Sequence, residues 1–134
     1  MEKEFIPYGL AVKLKELGFD EPCFGSYYNY SEENFKEGEL GYDYRGELNI
    51  GYSEYYYGIK YYILAPTWQQ AFRWFRQEHN LKFHIREDVW NNWCSLKMIR
   101  HDDYISIGEY KTYEEAELTC LTKLIEIVEN EKTL

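Results

Sequence analysis

Pro66-Thr-Trp-Gln-Gln-Ala-Phe-Arg-Trp-Phe-Arg-Gln-Glu-His-Asn-Leu-Lys-Phe-His-Ile-Arg86 changes its hydrophobic period partway along. Trp68, Ala71, Phe72 and Phe75 recur at i, i+3, i+4 and i+7, the stripe of a helix that turns one side toward a core. Pro66 suits a first helical turn, because its φ is fixed and its missing N–H is not needed there. Thr67 with Gln70 spells a capping box, and Asn80 tolerates the left-handed backbone that ends a helix. Beyond it Leu81, Phe83 and Ile85 alternate with Lys82, His84 and Arg86, so the chain passes into a half-exposed strand.

Toward the C-terminus, Trp93 to Ile99 reads as a second strand with Cys94, Leu96 and Met98 on one face. His101, Asp102 and Asp103 form a polar turn into a third strand, Tyr104 to Tyr110, where Ile105 and Ile107 share a face. Thr112 with Glu115 spells another capping box and opens a helix to about Asn130, with residues 131–134 expected to fray. Its apolar positions Tyr113, Ala116, Leu118, Cys120, Leu121, Leu124, Ile125, Ile127 and Val128 cover more than half the circumference, which predicts deep burial. The order helix, three antiparallel strands, helix matches the topology of the double-stranded-RNA-binding fold. The expected class is therefore α+β, one domain over 1–134, with helices packed on one face of an antiparallel sheet.

Toward the N-terminus, Pro7 sets up a short helix with Leu10, Ala11, Leu14 and Leu17 inward and Gly18 as its stop. Phe19, Pro22, Cys23 and Phe24 lead into a strand. Between Tyr27 and Tyr62 lie eleven of the fifteen tyrosines, interleaved with Gly, Ser, Asn and acids. Leu48 to Tyr52 and Tyr56 to Leu64 read as strands, and the acidic, weakly periodic stretch from Ser31 to Gly46 as a mobile loop. Tyrosine combines a large rigid face, a polar tip and little rotamer entropy, so such mixtures suit surfaces that grip other molecules. Tyrosine is also a favoured strand residue, and ordinary hairpin packing is the competing reading.

The net charge of −9 opposes binding to bare phosphate backbones and anionic membranes. Residues 73–101 carry six Lys/Arg against three acids, a local +3 set against −12 elsewhere. Lys82, His84, Arg86 and Lys97 are expected to share a solvent face there, suited to a small anion, an acidic partner or the chain's own acidic loop. Duplex nucleic acid is not expected, because Glu114, Glu115 and Glu117 occupy the helix start where a double-stranded-RNA module places lysines. Glu114 and Glu117 fit either helix-dipole stabilisation or pairing with Arg73 or Arg76.

No stretch of about eighteen apolar residues and no basic leader with an apolar run is present, so a cytoplasmic protein without a membrane partner is expected. Cys23, Cys94 and Cys120 are odd in number and widely spaced, which predicts buried free thiols. His84, His101 and Cys94 lack a familiar metal-ligand spacing, and Asp102 and Asp103 diverge from one turn. Without a nucleophile-and-base pair, a phosphate loop or a dinucleotide fingerprint, no catalytic residue, metal or cofactor is expected.

Phe5-Ile-Pro-Tyr8, Leu14-Lys-Glu-Leu-Gly-Phe-Asp-Glu-Pro-Cys-Phe-Gly25, Ala65-Pro-Thr-Trp-Gln-Gln-Ala-Phe-Arg-Trp-Phe-Arg76, Tyr113-Glu-Glu-Ala-Glu-Leu118 and Lys123-Leu-Ile-Glu-Ile-Val128 resemble a family of small uncharacterised proteins from gut bacteria and their phages. The resemblance lapses across the tyrosine-rich stretch, about 26–62. It implies a phage or mobile-element setting and carries no activity or site residue with it. The expected function is non-enzymatic binding of a protein partner or self-association, through Tyr55, Tyr56, Tyr57 and Tyr61 together with Lys82, Arg86 and Lys97. The alternative is a nucleotide ligand, held by a counter-defence sponge in which tyrosines stack the base and the basic groups neutralise phosphate.

Overall fold

A computed structural model describes residues 2–29, 39–42, 61–87, 93–100 and 103–132. The class is α+β: among the described residues there are three α-helices and two small antiparallel sheets of three strands each, ordered β2-β1-β3 and β4-β5-β6. The chain divides into two compact units, Met1–Ala71 and Phe72–Leu134.

In the first unit, helix α1 spans Tyr8–Glu16, one residue later than a proline in the first turn would place it. Pro7 is the N-cap, at φ −62° and ψ 156°. Leu10, Ala11 and Leu14 are buried as their spacing requires, and α1 packs on strand β3, Tyr61–Ala65. Gly18, at φ +102°, ends the helix. Its N–H reaches Lys15 O at 3.0 Å while Phe19 N–H reaches Leu14 O at 2.9 Å, and the buried Phe19 and Leu14 side chains seal the turn. A side chain at that φ is strained, which explains the glycine.

Strand β1, Gly25–Asn29, is the centre of this sheet. It pairs antiparallel with β3, from Gly25↔Ala65 to Asn29↔Tyr61, and with β2, Glu39–Tyr42, from Gly25↔Tyr42 to Tyr28↔Glu39. The β2 residues lie inside the stretch expected to be a loop. Four residues, with only Leu40 and Tyr42 to alternate, give too short a period for a strand to be read, and the pairing with β1 supplies what the local sequence lacks. The expected strand Leu48–Tyr52 lies outside the described residues.

The segment before α1 is fastened to the start of the next helix. Phe5 bridges Thr67, Ile6 N–H donates to Pro66 O at 3.1 Å, and Trp68 Nε1–H donates to Lys3 O at 3.1 Å. Phe5 is 6% exposed and its ring fills the space above Gly25, where an added Cβ would lie 2.7 Å from Phe5 Cε1 and 2.9 Å from Cδ1. The ring is pinned on one side by burial and on the other by the central strand. Gly25→Ala is therefore expected to cost about 1–3 kcal/mol by overpacking, and Phe5→Leu in the same chain to restore part of it. Urea midpoints of the single and double variants check this, and a Gly25→Ala protein as stable as the parent refutes the packing.

Helix α2, Trp68–His79, crosses from one unit into the other. Thr67 Oγ1 accepts from Gln70 N–H at 3.2 Å, but the reciprocal half of the expected capping box is missing: Gln70 Nε2 donates to Pro22 O at 2.9 Å instead. A tertiary partner has outbid the local one. Asn80 takes the expected left-handed backbone, at φ 53°.

In the second unit, strand β4 is Lys82–Glu87, β5 Trp93–Arg100 and β6 Asp103–Tyr110. Helix α3, Tyr113–Lys132, lies on these three strands, and Thr112 Oγ1 accepts from Glu115 N–H at 3.1 Å as the capping motif predicts. Its buried residues are Ala116, Cys120, Leu121, Leu124, Ile125 and Val128. Leu118 is 44% and Tyr113 37% exposed, so the helix buries one side and is not deeply enclosed. The wide apolar arc overstated its burial, since a single sheet covers only one side of a helix.

Candidate functional site

Tyr55, Tyr56 and Tyr57 lie outside the described residues. Their attachment is nevertheless defined by the strands on either side. β2 and β3 both run antiparallel to β1 and so run parallel to each other, one on each side of it. Residues 43–60 leave β2 at the Gly25 end of β1 and rejoin β3 at the Asn29 end, where Tyr61 pairs with Asn29. A parallel pair of strands always requires such a crossover. The distance to be regained is about one short strand, roughly 15 Å, whereas that much extended chain reaches about 60 Å. Topology therefore demands that residues 43–60 return along the sheet before β3 begins.

Tyr27 has a structural task. It is half-buried, its hydroxyl donates to Ile6 O at 2.7 Å, and its ring meets Tyr8 edge-on at 5.4 Å and 81°. At least this tyrosine packs as the competing reading expects.

The basic residues fall on β4 and β5. Lys82, His84 and Arg86 are exposed, while Phe83 and Ile85 are half-buried and Leu81 is 1% exposed, so the alternation read from the sequence holds along β4. Phe83 stacks on Phe72 of α2, ring centres 3.9 Å apart and planes at 22°. Register opposes Lys82 to Ile99, His84 to Leu96 and Arg86 to Cys94, with an irregularity between Lys82 and His84. Lys97 falls in that irregular part of β5 and has no opposite number in the pairing. The side chains of Lys97 and Tyr61 lie outside the described residues, as does His101.

Arg73 and Arg76 are exposed and make no ion pair with a described residue, so the proposed link from Glu114 or Glu117 to either arginine is not formed. Glu117 does act on residues of its own helix. Burial first, then the Glu117 carboxylate, pushes the Cys120 thiol from 9.0 up to about 12. Tyr113 is also raised, by burial and then by Glu117, Cys120 and Glu114.

Cys23 is 0% exposed and its thiol donates to Glu21 O at 3.2 Å. Burial foremost, with the Glu21 charge second and opposed by a hydrogen bond to Gln70, pushes it from 9.0 up to about 12. Such thiols hold their protons and are poor nucleophiles. Cys23 and Cys120 are buried and free, as the cysteine spacing predicts.

Among the described residues no three His, Cys, Asp or Glu side chains gather where a metal ion could be held. No helix among them is long and apolar enough to cross a membrane. Compared with known proteins, the chain matches no family model, no curated protein and no solved structure.

Proposed function

We propose that this chain is a non-enzymatic binding module for a protein partner, and that its contact surface is the tyrosine-rich connection between β2 and β3. The observation that carries the reading is the crossover. Residues 43–60 join two parallel strands of a sheet whose centre is β1, so the tyrosines they carry are tethered to that sheet at both ends. These residues contain the consecutive Tyr55, Tyr56 and Tyr57 with Gly51, Ser53 and Gly58 around them, a composition that buries large area at low entropic cost.

The phage or mobile-element setting implied by the family resemblance fits a small acidic protein acting on a host component. The helix–three strands–helix order of residues 68–132 supports a double-stranded-RNA-binding-like arrangement as fold alone, since Glu114, Glu115 and Glu117 stand where phosphate contacts would be needed.

Replacing Tyr55, Tyr56 and Tyr57 together by Ser tests the contact surface. With circular dichroism and melting temperature unchanged, the variant is expected to retain less than about a tenth of the partner captured by the parent, the loss typical of removing central aromatic anchors. Equal capture by both proteins sinks the reading. A parent protein that instead gains thermal stability with micromolar cyclic or linear nucleotide, and loses that gain in the triple variant, is the sponge.

A further inference from the structure

Strand β4 forms one edge of its sheet, with β5 on its inner side. Among the described residues no other strand pairs with its outer side. Its apolar positions are committed: Phe83 stacks on Phe72, Ile85 is half-buried, and Leu81 N–H is tied to Phe75 O at 3.1 Å. Its polar positions are not. Lys82, His84 and Arg86 are exposed on the opposite face, and none makes an ion pair or side-chain hydrogen bond with another described residue.

We propose that the outer edge of β4 is a docking edge for an extended acidic peptide of a partner protein, which adds as a fourth strand with carboxylates at alternate positions opposite Lys82, His84 and Arg86. Main-chain hydrogen bonds supply the affinity of such an addition and alternate side chains its specificity. Residues two apart on a strand repeat at about 6.5–7 Å, and directly opposed residues on neighbouring strands stand about 5 Å apart, so alternating acids meet Lys82, His84 and Arg86 one to one.

Charge on an edge strand also serves to prevent unwanted pairing. Two observations separate recognition from protection here. The chain is acidic overall, and twenty-one of its twenty-four carboxylates lie outside residues 73–101, so a guard matching the rest of the surface would be acidic. Lys82 and Arg86 also flank His84 on one face and pair with no carboxylate among the described residues, which repels basic strands and attracts acidic ones, a selective filter. This edge belongs to the second unit, whereas the tyrosine-rich connection belongs to the first.

The test uses the full chain and a fluorescein-labelled peptide of three Glu-Val repeats, read by fluorescence anisotropy. The peptide is expected to bind, and its Glu-to-Gln counterpart to bind about tenfold more weakly, as is the acidic peptide to a Lys82→Gln, His84→Gln, Arg86→Gln variant. Two further acidic peptides carry N-methyl groups at the odd or at the even residues, leaving charge intact. One of them is expected to lose binding, because one set of N–H groups faces β4 in an added strand. Equal binding of both methylated peptides overturns strand addition, and equal binding by the triple Gln variant overturns the role of the cations. Tighter binding of a single-stranded oligonucleotide of matched length overturns the peptide as occupant. So does a dimer of the parent, seen by light scattering, that the triple Gln variant cannot form.

Discussion

Phe75→Ala is expected to remove about 3–5 kcal/mol of stability, the range for truncating a fully buried aromatic ring. Phe75 is 0% exposed and heads the largest fully buried side chains among the described residues. Its ring meets Trp74 edge-on at 5.0 Å and 74°, and lies 5.8 Å from the His79 ring. Truncation to a methyl group discards those contacts as well as the transfer energy of the ring, and close-packed neighbours relax only partly into the space. A domain of this size holds about 5–15 kcal/mol in total, so the variant should unfold at a urea concentration lower by about 1.5–2 M. Arg76→Ala, one position further along the same helix but exposed, is expected to shift the midpoint by less than about 0.3 M. If the two variants unfold alike, the assignment of faces on α2 is wrong.

The face of α2 was legible because its signal is local. Trp68, Phe72 and Phe75 repeat with the helix period, and Thr67 and Asn80 mark its ends. The same holds for β4, where strict alternation ended up as exposed Lys82, His84 and Arg86 around half-buried Phe83 and Ile85. What was not legible depends on partners far away in sequence. Glu39–Tyr42 is a strand because β1 offers an edge to it, and Gln70 abandons its capping role because Pro22 O lies within reach. The burial of α3 was misjudged for a related reason: Leu118 and Tyr113 are apolar enough for a core, but the sheet does not extend to cover them. For the candidate surfaces, the sequence located the cations of β4 by alternation, whereas the crossover that carries the tyrosines follows from the order β2-β1-β3, which no local pattern encodes.

Stability is expected to fall steeply on the alkaline side, from about pH 9 upward, and the cause is the two buried thiols. Cys23 and Cys120 are pushed from 9.0 up to about 12 in the folded protein by burial, helped by the carboxylates of Glu21 and Glu117. Below pH 9 both the folded and the unfolded chain keep these protons, so the thiols confer no pH dependence. Between 9 and 12 the unfolded chain releases them while the folded chain retains them, so fewer protons are bound after unfolding and stability drops as pH rises. The loss is on the order of 1 kcal/mol or slightly more per thiol between pH 8 and pH 10 and on the order of 4 kcal/mol per thiol over the whole window. Urea unfolding at pH 8, 9 and 10 reads it directly. The Cys23→Ala, Cys120→Ala variant starts less stable at pH 8, because two buried sulfurs are gone, yet its decline to pH 10 should be shallower by about 2–3 kcal/mol. Comparing slopes within each protein separates titration from packing. Parallel slopes in the two proteins would show that neither thiol is shielded from water as strongly as its burial implies.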